Sequence, residues 1–229
     1  MTDYIVASSK EWHRKAFLRL QSASADDWGY VSSPEELRQS TEACMPRNIF
    51  FLHWHWSVPR EIWSQCECVC FHMTDVPFGR GGSPLQNLIE RGHSETQLTA
   101  LRMVDEMDAG PVYAKRPLSL EGRAEDIYLR AGDIGWELID WIVKEQPQPA
   151  PQEGEVTIFK RRKPAESVLP AIGGLDKVYD HIRMLDAPTY PLAFIEHGDF
   201  TLEFSHAEMN EGEIRVHVAI REKRDDSED

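Results

Sequence analysis

The first half of the chain alternates short apolar runs with amphipathic stretches, and few architectures accommodate that order. Short apolar or β-branched runs bounded by turn formers read as strands, and apolar spacing near 3.6 reads as helix. The pattern predicts strands over 4–8, 28–31, 48–54, 67–72 and 96–104, with 28–31 at a sheet edge. It predicts helices over 10–21, 59–65, 83–91 and 124–144, the third of them stopping at Gly92. A further helix opens at Ser33-Pro34-Glu35-Glu36, with Ser33 as N-cap and Pro34 as its first residue. The longest helix presents Ile127, Leu129, Ile134, Leu138, Ile139 and Ile142 as a stripe facing the core. Strands alternating with helices define an α/β fold, a mostly parallel sheet with flanking helices.

The alternating prolines of Gln146-Pro147-Gln148-Pro149-Ala150-Pro151-Gln152 forbid a helix and read as an extended linker. The expected organisation is therefore a sheet domain over 1–145, a linker over 146–155 and a small α+β C-terminal appendix over 156–221. Within the appendix the pattern gives a strand over 156–160, a helix over 176–184 and a hairpin of 192–197 with 200–206 around Gly198. A last strand covers 214–220. The charged residues 222–229 are expected to be a disordered tail.

The chain has 229 residues, 41% of them hydrophobic and seven of them Trp, which suits an ordinary globular protein with one good core. A formal net charge of −14 opposes a nucleic-acid partner, because phosphate-backbone binding needs clustered Lys and Arg. The one dense basic run is Lys160-Arg161-Arg162-Lys163. No apolar stretch approaches the length of about eighteen residues that a membrane span requires, and the N-terminus lacks a signal-peptide pattern. A cytoplasmic protein without a membrane partner is expected, with its four cysteines as free thiols. Cys66, Cys68 and Cys70 alternate before His72 and invite a metal reading. Alternate residues on one strand face lie roughly 6.5–7 Å apart, too far for thiolates that bind zinc at about 2.3 Å. No metal is expected.

The candidate chemistry lies at His72 and Asp108. His72 ends the apolar run Cys66-Glu67-Cys68-Val69-Cys70-Phe71 and opens the turn-rich stretch that reaches Pro84. Asp108 follows a second apolar run and precedes Ala109-Gly110. Ligands of open parallel sheets collect beyond the carboxyl ends of strands, so 53–57, 72–86 and 107–110 are expected to share one edge. A His and a carboxylate brought together there can share one proton, the equipment for moving an acyl group onto an amine.

The stretch from His72 to Asp108 contains Pro77-Phe78-Gly79-Arg80-Gly81-Gly82-Ser83-Pro84-Leu85-Gln86 and ends in Met107-Asp108-Ala109-Gly110. It resembles the formyltransferase family that uses 10-formyltetrahydrofolate, in which a catalytic Asp follows the His by the 36 residues found here. His72 to Asn87 and Tyr179 to Pro191 look most like the branch that formylates nucleotide-linked amino sugars for surface polysaccharide. The resemblance runs from about Asn48 through the second of these motifs. It implies a Rossmann-like catalytic domain with 10-formyltetrahydrofolate as co-substrate, a nucleotide-linked amino sugar as acceptor and no metal. A homodimer through the appendix is left open.

Three demands then fall on the site. The attacking amine must lose a proton, a developing oxyanion needs a donor, and the leaving nitrogen must gain a proton. His72, titrating near 6.5 when unperturbed, suits the first, and Asp108 would orient it or relay the proton. The family generally carries Asn two residues before the His, where this chain has Cys70. A thiol is a weak donor, so the backbone N–H groups near Gly81 and Gly82, or the imidazole of His53, are candidates for the oxyanion. The resemblance further implies a folate slot formed by Pro77, Gly79, Arg80, Gly81, Gly82, Leu98, Arg102, Met103, Val104 and Met107. It implies acceptor contacts from His53, Trp54, Thr74, Lys160, Arg161 and Arg183. Three rival readings stand beside it: a methionyl-tRNA formyltransferase, a formyltetrahydrofolate hydrolase, and a folate- or nucleotide-sugar-binding regulator without turnover.

Overall fold

The computed structural model describes residues 2–188 and 190–223. Two compact units divide these residues. The first comprises residues up to 84, 96–118 and 129–159. The second comprises 85–95, 119–128 and the described residues from 160 onward.

The first unit is built on a six-stranded sheet. Its strands are β1 (Tyr4–Ala7), β2 (Trp28–Val31), β3 (Asn48–Phe51), β4 (Glu67–His72), β6 (Glu95–Arg102) and β7 (Val112–Ser119). Their order is β2-β1-β3-β4-β6-β7. Helices α1 (His13–Ala23), α2 (Pro34–Ala43) and the single turn α3 (Arg60–Trp63) connect the first four strands, which all run parallel. These strands read as nearly unbroken apolar runs because both faces are covered; all four residues of β1 are buried. Ile5, Ala7, Ile49, Phe51 and Cys68 pack on one face with Leu37 of α2 and Ile62 of α3. At the start of α2, the Ser33 side chain accepts the Glu36 N–H, the cap its sequence predicts.

The long helix α5 (Ala124–Glu145) approaches helix α1 so closely at Gly132 that a Cβ there would lie 2.7 Å from the His13 ring. Ile127, Leu138, Ile139 and Ile142 are buried as expected, whereas Leu129 is 41% exposed and falls outside the stripe.

The structure departs from the sequence expectations in four places. Strand β7 is unforeseen, because Lys115-Arg116-Pro117 interrupts its apolar run. It lies at the sheet edge, where a missing N–H costs no ladder bond. Strand β6 runs antiparallel to β4, with His72 opposite Thr99 and Val69 opposite Arg102. Strands β3 and β6 stop at Phe51 and Arg102, short of the predicted ends. Finally, the proline-rich stretch is no free linker. Ala150 bridges Val112. Beyond it, the strand expected over 156–160 forms as β8 (Ile158–Phe159) and pairs parallel with β5 (Arg80–Gly81).

The second unit contains α4 (Pro84–Glu90) from Leu85 onward, α6 (Leu175–Arg183) and a three-stranded antiparallel sheet. That sheet comprises β9 (Ala193–His197), β10 (Phe200–Asn210) and β11 (Glu213–Glu222) in the order β11-β10-β9. The hairpin turns at Gly198, as its sequence predicts. Glu222 still pairs with Phe200, so the start of the expected tail belongs to the sheet. Residues 224–229 of that tail lie outside the described residues.

Candidate active site

His72 and Asp108 meet. The Asp108 Oδ2 stands 3.5 Å from His72 Nδ1, and both side chains are largely shielded from solvent. The antiparallel register explains why this required a long loop. The Met103 N–H donates to the Cys68 carbonyl, so β6 ends beside the first half of β4. The chain must then run back along β4 before Asp108 reaches the ring at its carboxyl end. The two residues are therefore not delivered by strands of one direction, as a wholly parallel sheet would have done.

Each partner is fixed from its other side. His72 Nε2 lies 2.8 Å from the Gly79 carbonyl oxygen. A carbonyl can only accept, so Nε2 carries the proton and donates it. When the ring carries that proton alone, its Nδ1 presents a lone pair toward the carboxylate. In that form two acceptors face each other across 3.5 Å, wider than an ordinary hydrogen bond. The pair is arranged to take up one proton between them. Asp108 adopts a positive φ of 54° and its Oδ2 accepts the Gly81 N–H at 2.9 Å. Gly81 itself has φ 107°, and a Cβ there would collide with the Phe159 carbonyl oxygen. Only glycine fits this crossing of β5 and β8.

Gln152 is the residue that the sequence reading missed. Its side-chain amide donates to the Asp108 and Gly110 carbonyls, both at 2.8 Å. Its oxygen accepts from Arg80 Nε and Nη2. Arg80 also pairs with Glu106 and is nearly buried, so it acts as a strut within the loops. The signal was invisible because Gln152 sits in a stretch whose prolines suggest only extension.

The structure redistributes several other expected roles. The Gly81 N–H is committed to Asp108 and the Gly82 N–H to the Phe159 carbonyl, so neither is open to an oxyanion. Cys70 Sγ lies 3.7 Å from the Leu101 carbonyl. Burial, and then the charge of Asp108, push its thiol far above the usual range, so it is no nucleophile at neutral pH. Thr74 is fully buried, and its hydroxyl donates to the same Gly79 carbonyl that holds His72. It braces the loop and presents no surface to an acceptor. Leu98 is likewise buried in β6, as packing behind any slot. Arg102 binds Glu67 at 2.9 Å and lies beside the Tyr113 hydroxyl. Met103 packs on the apolar face of the sheet with Trp54. Val104 and Met107 are exposed, Met107 at 70%. Pro77 precedes the loop, and its carbonyl accepts the Thr157 N–H.

His53, just past β3, adopts a positive φ of 49°. Its Nδ1 lies 2.8 Å from His13 Nε2, and Trp136 Nε1 donates to His13 Nδ1 at 3.1 Å. Trp136 can only donate, which leaves His13 Nε2 as donor to His53. Desolvation holds both rings neutral, with His13 lowered to about 4 and His53 to about 3. The charge that His13 would carry lowers His53 further.

In the second unit, Arg183 is buried and donates to the Leu120 and Gly122 carbonyls and to Asp180. These bonds consume the guanidinium in holding its own unit together, in place of the expected diphosphate contact. Within the basic run, Arg162 pairs with Glu90, while Lys160 and Arg161 are exposed. Cys66 precedes β4, so the strand-spacing argument does not apply to it, and its sulfur lies 3.7 Å from that of Cys68. Among the described residues no group of three or more His, Cys, Asp or Glu is placed to hold a metal. No helix among them is long and apolar enough to cross a membrane.

The His72–Asp108 pair thus stands at the carboxyl end of β4 in an α/β sheet, and the comparisons assign such a chain to the formyl-transferring enzymes. The profile of the methionyl-tRNA formyltransferase C-terminal domain matches residues 164–221. A solved structure described as methionyl-tRNA formyltransferase from Clostridium thermocellum is 42% identical and covers 97% of this chain. All of that chain is matched, at a TM-score of 0.94. The methionyl-tRNA formyltransferase of Sinorhizobium medicae is 31% identical over 149 residues, which are 61% of this chain and 47% of that protein. A sugar N-formyltransferase from a Shewanella species shares the fold at a TM-score of 0.71, covering 90% of this chain and 97% of that one at 15% identity. The chain spans about half the length, or less, of the first curated relatives it matches. The chain belongs to the formyltransferase family.

Proposed function

We propose that the chain transfers a formyl group from 10-formyltetrahydrofolate to the primary amine of a nucleotide-activated amino sugar. The observation that carries the transfer is the His72–Asp108 pair, two acceptors positioned to receive one proton. An amine attacks only as its neutral form and must shed a proton as the new bond forms. The Nδ1 of His72 receives that proton, and Asp108 stabilises the resulting imidazolium. The Gly79 carbonyl and Gly81 N–H hold the two groups in register throughout. Gln152 fixes the loop that carries Asp108.

The residues present fit the one-carbon donor. Val104 and Met107 are exposed apolar side chains in the loop before Asp108, the kind of surface that one face of a flat heteroaromatic ring covers. When bound, 10-formyltetrahydrofolate supplies the formyl group. The proton held between His72 and Asp108 would return to the donor's nitrogen as its bond to the formyl carbon breaks.

The acceptor class rests on charge. A net charge of −14 repels a polyanion, whereas a nucleotide sugar carries only two phosphates. Methionyl-tRNA is the second reading, favoured by the 42% identity to a structure described as its formyltransferase. Release of tetrahydrofolate, measured with a panel of nucleotide-linked amino sugars, with methionyl-tRNA and without acceptor, decides between them. Release that requires a sugar, with a product heavier by one formyl group, is the expected outcome. Release dependent on methionyl-tRNA alone replaces the sugar with tRNA, and release without any acceptor identifies a hydrolase.

A further inference from the structure

Two thiols stand together where α3 gives way to β4. The sulfur of Cys66 lies 3.7 Å from that of Cys68, and both are free. Their surroundings differ. Cys68 is fully buried in β4, where it pairs with Ile49 of β3 and its carbonyl accepts the Met103 N–H. Cys66 is half-buried in the bend before the strand, and its N–H and thiol both face the Ile62 carbonyl.

The pair divides into a nucleophile and a resolving thiol. The Cys68 thiol donates toward Cys66, which lowers the Cys66 thiol below its ordinary range despite burial and the neighbouring Glu67 charge. The same bond, and then burial, push Cys68 far above that range. The thiolate is the reactive form, so Cys66 reacts first. The other two cysteines are placed differently. Cys44 faces the Met45 carbonyl rather than another sulfur. Cys70 is paired within β4 like Cys68, and alternate residues of a strand stay roughly 6.5–7 Å apart.

Glu67, between the two thiols, ties the start of β4 to the end of β6. Its N–H donates to the Arg47 carbonyl at 3.3 Å. Its carboxylate accepts from Arg102 at 2.9 Å and from the Tyr113 hydroxyl. Arg102 is the last residue of β6, and the loop to Asp108 departs from it.

We propose that Cys66 and Cys68 form a peroxide-responsive dithiol site whose disulfide loosens the tie between Glu67 and Arg102. The Cys66 thiolate attacks one oxygen of hydrogen peroxide. A sulfur–oxygen bond forms, the oxygen–oxygen bond breaks, and the second oxygen leaves as water with the proton that Cys66 gave up. The Cys68 sulfur then attacks that of Cys66. The sulfur–sulfur bond forms as the sulfur–oxygen bond breaks, and the hydroxyl departs with the Cys68 proton as a second water. The two thiols lose two electrons and the peroxide takes both. A disulfide holds its sulfurs about 2.05 Å apart, so one cysteine must move. Cys68 is locked between two strands, so the bend at Cys66 shifts and draws Glu67 out of its pairing.

The test treats the whole reduced chain with a small excess of hydrogen peroxide, alkylates the remaining thiols and reads the peptides by mass spectrometry. The expected product carries a Cys66–Cys68 disulfide with Cys44 and Cys70 alkylated, and dithiothreitol reverses it. Hydrogen exchange in peptides covering Glu67 and Arg102 should quicken by roughly tenfold or more on oxidation and recover on reduction. Cys66→Ser, at the half-buried position, should abolish the disulfide and leave Cys68 unoxidised. In Cys68→Ala, dimedone should label Cys66 as its sulfenic acid. Four thiols still open to alkylation after peroxide overturn the proposal. So does a disulfide to Cys44, to Cys70 or between chains, or oxidation of Cys68 in Cys66→Ser. A disulfide that leaves exchange at Glu67 and Arg102 unchanged overturns the loosening.

Discussion

His72 donates its Nε2 proton to the Gly79 carbonyl, which turns its Nδ1 lone pair toward Asp108, 3.5 Å away. The bond to Gly79 thus selects the tautomer, and the tautomer makes the pair a proton acceptor. Asp108→Asn keeps an oxygen for the Gly81 N–H but removes the charge that stabilises an imidazolium. We expect kcat to fall by about 10² to 10⁴ with the thermal midpoint almost unchanged. Turnover near wild type in a steady-state assay would remove Asp108 from the mechanism.

Gly81→Ala tests the backbone that supports the carboxylate. At φ 107° an alanine is strained, and its Cβ would strike the Phe159 carbonyl oxygen, a rigid neighbour. The conformation alone costs about 1–3 kcal/mol, and relief requires β5 and β8 to separate. Denaturant unfolding should show at least this loss, together with a drop in kcat. A variant as stable as wild type would show that the crossing has room to spare.

Gln152→Ala removes the amide that ties the Asp108 loop to Arg80. Three partly buried groups lose a partner, which costs about 1–3 kcal/mol for each donor or acceptor left unmet by water. The expected result is a lower kcat with KM little changed, because the proton acceptor loses its register while exposed binding surface remains. If KM alone rises, Gln152 contacts a ligand directly and its supporting role is wrong.

The buried imidazoles predict a pH effect on stability. His13 is lowered to about 4 by desolvation and His53 to about 3; both would titrate near 6.5 in the unfolded chain. The unfolded state therefore binds more protons between these values, so their contribution is complete above about pH 6.5 and is lost as the pH falls toward 4. For His13 alone the full effect is roughly 3 kcal/mol. His13→Gln keeps an acceptor for Trp136 and a donor for His53 without titrating. Urea unfolding at several pH values should show a shallower acid slope in this variant; an unchanged slope would place the acid sensitivity elsewhere.

Much of this molecule was legible in local pattern. Apolar runs bounded by turns located β1, β2, β4 and the β9–β10 hairpin, and Ser33-Pro34 marked a helix start that the structure confirms through its cap. Residue type, spacing and neighbouring motif singled out His72 and Asp108 as candidates, and the fold brings the two side chains within 3.5 Å. Such local patterns are features of contiguous sequence, set by periodicity and by backbone preference.

Tertiary structure alone decided the rest. Whether β6 runs with or against β4 depends on how the chain returns to the sheet, which no local period records. Gln152 reaches Asp108 across 44 residues, and Trp136 reaches His13 across 123. Thr74 and Arg183 look like ligand contacts in sequence and become internal braces once folded, because nearby carbonyl groups claim their donors. The sequence determined most of the elements and which side chains are candidates to carry chemistry. Which of those side chains remain open to a ligand was settled by packing, because a hydrogen bond made within the fold is no longer available outside it.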